Sequence, residues 1–150
     1  MRRKRRLKKM HFKKLVPNAI TPTRGSEYAA GYDLYSTVEA AISPGETVKI
    51  DTGIAIALPE NTFGAIFARS GLATKNGLAP ANKTGVVDAD YRGPLIVALH
   101  NHSAEIQYVH EGMRVAQLVV IPYIPVTFDE VEELDNTERG EGGFGSTGTC

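Results

Sequence analysis

From His11 onward the chain sets short apolar runs, several alternating with polar positions, between clusters of turn-forming residues. A period of two is what a half-buried strand requires, because successive side chains point to opposite faces of a sheet. The pattern predicts strands over His11 to Val16, Tyr32 to Thr37, Thr47 to Ile56, Phe63 to Ala68, Leu95 to His100 and Arg114 to Ile121. Ser43-Pro44-Gly45, Pro59-Glu60-Asn61, Lys75-Asn76-Gly77 and Glu111-Gly112 punctuate them. Helical periodicity is nearly absent. One short helical turn is expected within Ser70 to Asn76, ended by Gly77. Many short, evenly spaced strands predict an all-β fold, a jelly-roll-like β-sandwich or barrel. The pattern divides the chain into a basic, disordered tail over residues 1–10, one β domain over 11–136, and a closing segment over 137–150. That last segment holds five glycines and a single large apolar residue, Phe144. It cannot offset the entropy of its own ordering by burial, so it is predicted to be a flexible Gly-rich arm that orders on a ligand.

Composition narrows the picture. At 150 residues and 42% hydrophobic content the chain suits one core. No apolar run approaches the roughly 18 residues of a spanning helix, so no membrane partner is expected. The basic start resembles the front of a signal peptide, but LVPNAITPTR supplies no apolar stretch behind it. The single cysteine, Cys150, allows no intramolecular disulfide. The expectation is an intracellular protein of cytoplasm or nucleus.

A net charge of zero conceals an asymmetry. Residues 1–14 carry nine of the 17 basic residues and no acid, leaving eight cations against all 17 acids in the remainder. A body that acidic binds a polyanion only through focused cations or metal. The tail RRKRRLKK reads first as a disordered solubilising extension, next as a nuclear-import or nucleic-acid-contacting patch, and last as a targeting segment.

Three segments offer chemistry. In the arm, the glycines allow backbone N–H groups to turn around an anion, Arg139, Ser146 and Thr147 add donors, and Phe144 offers a flat face to a base. The spacing imitates a Walker A loop, but Ser146 stands where Lys is needed and no strand-to-helix context surrounds it. Arg69-Ser70-Gly71, at a strand end, gathers a guanidinium, a hydroxyl and free N–H groups that suit phosphate; alone it reads more often as an arginine paired with a surface carboxylate. In GVVDADYRG, Val86 and Val87 would anchor Asp88, a carboxylate able to orient a water and take its proton; Asp88 and Asp90 are otherwise turn formers. His100, His102 and His110 sit in strand-like surroundings that favour surface or subunit-contact roles over metal ligation.

Five separated segments resemble, in order and spacing, the five motifs of the trimeric dUTP pyrophosphatases. They are AAGYDLYS (29–36), RSGLA (69–73), GVVDADYRG (85–93), GMRVAQLVV (112–120) and RGEGGFGSTG (139–148). The resemblance implies hydrolysis of dUTP to dUMP and pyrophosphate, limiting uracil in DNA and supplying dUMP for dTMP synthesis. It makes Asp88 the base that activates the water attacking the α-phosphorus, and Tyr91 the ring beneath the deoxyribose that excludes a ribose. Asn82, with backbone groups at Gly85 and Val87, would read uracil in a tight hairpin. Arg69, Ser70, Gly71 and Gln117 would bind the inner phosphates, while Arg139, Gly145, Ser146 and Thr147 clamp the γ-phosphate and Phe144 covers the base. Asp33 would hold Mg²⁺ indirectly, through its water shell, since Mg²⁺ keeps several waters and takes phosphate oxygens. The family also implies a homotrimer with shared sites, the arm reaching over from another chain.

The chain departs from the family pattern at Ala68, where a proline is common, at Pro94, and at Ala79-Pro80-Ala81 on the approach to the hairpin. Two other readings compete. A dCTP deaminase would share the motif order, but that family needs a glutamate on the strand after the third motif, and PLIVALHNH contains no acid. A non-catalytic regulatory module would not need Asp88, Tyr91, Arg139 and Phe144 together.

Overall fold

The computed structural model describes residues 9–145. Eleven strands and one helix follow in order: β1 (His11–Lys14), β2 (Tyr32–Tyr35), β3 (Ala40–Ile42), β4 (Thr47–Asp51), β5 (Ile54–Ala57), β6 (Thr62–Phe67), α1 (Ser70–Asn76), β7 (Leu78–Pro80), β8 (Gly85–Val87), β9 (Ile96–Asn101), β10 (Gln107–Val109) and β11 (Arg114–Pro122). All strand pairs are antiparallel. They form a four-stranded sheet in the order β2-β11-β6-β8, a three-stranded sheet β4-β9-β7, and the two-stranded ribbons β1-β5 and β3-β10. This is the all-β, jelly-roll-like architecture that the strand pattern predicts. Among the described residues no helix is long and apolar enough to cross a membrane.

The core lies between the sheets. Leu34, Ala116, Leu118 and Ile66 come from the inward face of the four-stranded sheet, and Ile50, Val97 and Leu99 from the three-stranded one; all are buried. Each large aliphatic side chain so buried contributes about 1.5–3 kcal/mol of transfer free energy. The buried polar side chains are satisfied: Thr52 donates to the Leu95 carbonyl at 2.7 Å, and Asn101 donates to the Ile42 and Glu105 carbonyls at 2.8 Å each.

Two expectations need correction. The strand anticipated over Thr47 to Ile56 is two strands in different sheets, since β4 pairs with β9 while β5 pairs with β1. The break falls at Gly53, whose φ of +64° is left-handed and whose missing Cβ leaves room for Val16, which would otherwise approach to 2.6 Å. The tight hairpin anticipated around Asn82 is instead a crossing between sheets: β7 pairs with β9, whereas β8 pairs with β6. A turn closed by the Lys83 N–H on the Pro80 carbonyl at 3.0 Å, with Lys83 at φ +63°, joins them. The short strands β3, β7, β8 and β10, three residues each, escape a period-two reading because so few positions cannot show alternation.

Candidate active site

The outward face of the four-stranded sheet builds the first half of the site. Asp33 on β2, Gln117 on β11 and Phe67 on β6 are register partners across three strands, so their side chains share one face. The alternate row, Leu118, Ile66 and Gly85, faces the core. Immediately after β6 the chain passes through Ala68 and Arg69 into α1, whose first two residues are Ser70 and Gly71. The helix ends as expected at Gly77, whose N–H bonds the Leu72 carbonyl. Asp33, Arg69, Ser70, Gly71 and Gln117 thereby line one bay of about 570 Å³, together with Gly31, Phe67 and Val119.

Within that bay the side chains are held, not loose. The Arg69 Nε donates to Asp33 Oδ1 at 2.9 Å, with the two side chains 32% and 16% exposed. Bonding through Nε leaves the two terminal nitrogens of the guanidinium as donors for a ligand. Gln117 Nε2 donates to the Ala68 carbonyl at 2.8 Å. Ala68 serves here through its carbonyl, a group it shares with the proline more usual at that position. Gly31 lies against the Gln117 amide: a Cβ there would overlap Gln117 Oε1 and come within 3.2 Å of Cδ. Gly31→Ala is therefore expected to swing the Gln117 amide off Ala68 and to cost about 0.5–1.5 kcal/mol of stability, the worth of that hydrogen bond. Urea denaturation of Gly31→Ala, Gln117→Ala and the double variant checks this. The two changes should be strongly non-additive, because truncating Gln117 removes the obstacle.

The second half forms around β8. Gly85 and Val87 are buried, pinned against β6 by pairing with Ile66 and Gly64, and the chain emerges into solvent at Asp88. A turn follows, the Tyr91 N–H reaching the Asp88 carbonyl at 3.1 Å. The Tyr91 hydroxyl donates to the Pro94 carbonyl at 3.0 Å, and Arg92 Nη1 donates to the Ala89 and Tyr91 carbonyls at 2.7 and 3.1 Å. These bonds fix the ring of Tyr91 beside Asp88. Asn82, Gly85, Val86, Val87, Asp88 and Tyr91 line a second depression of about 220 Å³, with Ile66 and Pro94 among its walls. Pro94 thus supplies the acceptor that orients Tyr91.

The structure brings the predicted site residues together in two groups and does not merge them. The bay and the depression share no lining residue. Ile66 lines one and its neighbour Phe67 the other, so they open on opposite sides of β6. The arm joins neither. Its described hydrogen bonds are local, from Gly140 N–H to Thr137, Gly142 N–H to the Arg139 carbonyl, and Arg139 Nε to the Gly142 carbonyl at 2.9 Å. Phe144 is fully exposed and Gly145 is the last described residue, so Ser146 and Thr147 lie outside the described residues. The histidines line neither half. His100 Nδ1 meets the Thr47 hydroxyl at 2.8 Å, and the His100 and His102 rings pack edge to face at 4.4 Å. One charged residue beside the bay was not singled out from sequence: Arg114, whose Nη1 reaches Asp33 Oδ2 at 3.4 Å. Its position within GMRVAQLVV, three residues before Gln117, was the available signal.

Comparison with known proteins identifies the family of the chain. The family model described as dUTPase matches residues 17–148. The deoxyuridine 5'-triphosphate nucleotidohydrolase of Candida albicans is 49% identical over 134 residues, covering 88% of this chain and 83% of that protein. The enzyme of the same name from Clostridium tetani is 45% identical over 139 residues, covering 93% and 96%. Among solved structures, the dUTPase of Staphylococcus bacteriophage 80alpha with dUPNHPP superposes with a TM-score of 0.86 at 30% identity, over 95% of this chain and all of that one. A dUTPase of S. aureus phage phi11, whose structure details the coordination of a structural Mg(II) ion, gives a TM-score of 0.77 at 28% identity over 84% and 98%. With a matching family model over most of its length and relatives near half identical, the chain belongs to the dUTPase family.

Proposed function

We infer that the chain is a dUTP diphosphatase, hydrolysing dUTP to dUMP and pyrophosphate. The observation that carries this is the presence, in one chain of that family, of two complementary half-sites: a carboxylate and a tyrosine fixed beside a small depression, and a guanidinium, a hydroxyl and an amide gathered in a larger bay. The smaller depression suits a deoxynucleoside. Asn82 and the backbone at Gly85 and Val87 offer the hydrogen-bonding groups that a uracil edge requires, and Tyr91 presents a ring to the sugar. A site built to pair such an edge rejects cytosine, which presents the wrong donors. The bay suits the inner phosphates, with Arg69, Ser70, Gly71 and Gln117 as ligands. Asp88 takes the proton of the attacking water as that water adds in line to the α-phosphorus, and pyrophosphate leaves. No covalent intermediate is needed; positioning and charge neutralisation carry the rate.

The second element is Mg²⁺. Asp33 fits an outer-shell role, since each of its oxygens carries one guanidinium bond and keeps a lone pair for a water of a hydrated cation. When bound, the ion would neutralise the triphosphate and orient its oxygens. Arg139, Gly145, Ser146 and Thr147 complete the reading as the γ-phosphate clamp, with Phe144 over the base. In the domain reading, residues 11–136 form the catalytic body and 137–150 the closing arm.

The third element is assembly as a homotrimer with shared sites. Two separated half-sites in one chain would be joined if a neighbouring copy set its bay against the depression of the first. The segment after β11 supports a protein partner, because Ile124, Val126 and Phe128 are 70% or more exposed at alternate positions. Mixing tests the arrangement. Asp88→Ala and Arg69→Gln chains, each inactive alone, should on co-refolding in equal amounts regain about a quarter of wild-type activity, the share of sites receiving one intact half from each. Recovery of none would mean that both halves come from one chain.

The activity itself is tested by pyrophosphate release from dUTP, dCTP, dTTP and UTP with and without Mg²⁺. Release from dUTP alone, dependent on Mg²⁺, is the expected result. Ammonia release from dCTP would overturn it.

A further inference from the structure

We propose that Arg114 is a positioning residue of the phosphate bay, which acts through Asp33 to keep Arg69 free for the substrate and gives the bay its net positive charge. This rests on the reading of the bay as the polyphosphate site.

The first observation is a β-bulge. Across the β2–β11 ladder, Leu34 is the partner of Ala116 but Tyr35 is the partner of Arg114, so one extra residue of β11 lies between the two pairs. In an unbroken strand Arg114 and Ala116 would point the same way, into the core, where Ala116 is fully buried. The bulge reverses the phase. Arg114 comes to the face of its partner Tyr35, which is also the face of Asp33 two residues earlier on β2, and the guanidinium reaches Asp33 Oδ2.

The second observation is how the Asp33 carboxylate is divided. Oδ1 accepts from Arg69 Nε at 2.9 Å and Oδ2 from Arg114 Nη1 at 3.4 Å. An arginine beside an unshared carboxylate frequently takes both oxygens at once, as a parallel fork of two N–H bonds. With the Arg114 guanidinium competing for Oδ2, Arg69 makes a single bond through Nε, and both terminal nitrogens remain available to phosphate. Charge points the same way. Among the described residues, the charged side chains lining the bay are Asp33 and Arg69, which cancel formally. Arg114 makes the trio net positive within a body that is otherwise acidic.

The test compares Arg114→Gln and Arg114→Lys with wild type, each also in an Asp33→Asn background. Arg114→Gln should lower kcat/KM for dUTP about tenfold, chiefly through KM, and flatten its dependence on salt. Arg114→Lys should restore the salt dependence, because it restores the charge. In the Asp33→Asn background, where no carboxylate competes for Arg69, Arg114→Gln should cost less than half as much on a logarithmic scale. The melting temperature should stay near wild type, since the Arg114 side chain is half exposed and such pairs contribute little stability. Calorimetric binding of inorganic triphosphate, which needs no turnover, should weaken in parallel. It separates this inference from the activity: a wild-type chain that bound triphosphate without cleaving dUTP would refute the enzyme reading and still report on Arg114. An unchanged KM and triphosphate affinity in Arg114→Gln, an equal loss in both backgrounds, or a loss explained by unfolding would each overturn the proposal.

Discussion

Asp88→Ala is expected to lower kcat for dUTP by about 10³-fold, the range that general-base catalysis supplies, while leaving nucleotide binding measurable. The geometry sets both parts of that result. Asp88 stands at the end of β8, where buried Val87 and the pairing of Gly85 with Ile66 anchor the strand and hand the carboxylate to solvent. Its side chain accepts no hydrogen bond from the described residues, so shortening it disrupts no network and should leave the melting temperature nearly unchanged. Binding should persist because the residues proposed to hold the inner phosphates line the separate bay on the other side of β6. Pyrophosphate release gives the rate, and calorimetry with a non-hydrolysable dUTP analogue gives the affinity. A variant that turns over dUTP near the wild-type rate would show that another group takes the proton.

Removal of residues 139–150 should leave a folded body with kcat/KM reduced by about 10²–10³-fold, the loss expected when preorganised donors to a transferring phosphoryl group are taken away. Folding should survive. The last strand, β11, ends at Pro122, and the described arm makes only hydrogen bonds to itself. Phe144→Ala isolates the stacking contribution within the same segment and should cost about 1–3 kcal/mol of binding if one base rests on the ring. Circular dichroism establishes that the truncated chain is folded, and the pyrophosphate assay reads the loss. Full activity without the arm would remove it from the site.

Much of this was legible in the sequence, for physical reasons that differ from residue to residue. The alternating runs around Leu34 and Leu118 announce strands because one face of each is buried. Asp88 and Arg69 could be placed at strand ends because apolar residues precede them and turn formers follow. The break at Gly53 was missed: alternation through Val48, Ile50, Ile54 and Ile56 suggests one strand, whereas the left-handed turn at Gly53 and the approach of Val16 from a distant part of the chain divide it. The crossing at Asn82 escaped for a related reason, since local turn chemistry does not say which sheet each flanking strand will join. Arg114 was hidden by phase. Alternation counted back from Ala116 turns it inward, and the extra residue that turns it outward leaves no mark in composition.

The separation of the two half-sites has a consequence for populations of chains. If each centre draws Asp88 from one copy and Arg69 from a neighbour, a copy defective in one half spoils one centre and still serves another, so output falls in proportion to the share of defective copies. A copy defective in both halves spoils two, and output falls as the square of the sound fraction. The same two-pocket layout would then make the two cases equal: a double lesion on half the copies, or two single lesions carried on different copies in equal amounts, each leaves about a quarter of the centres intact.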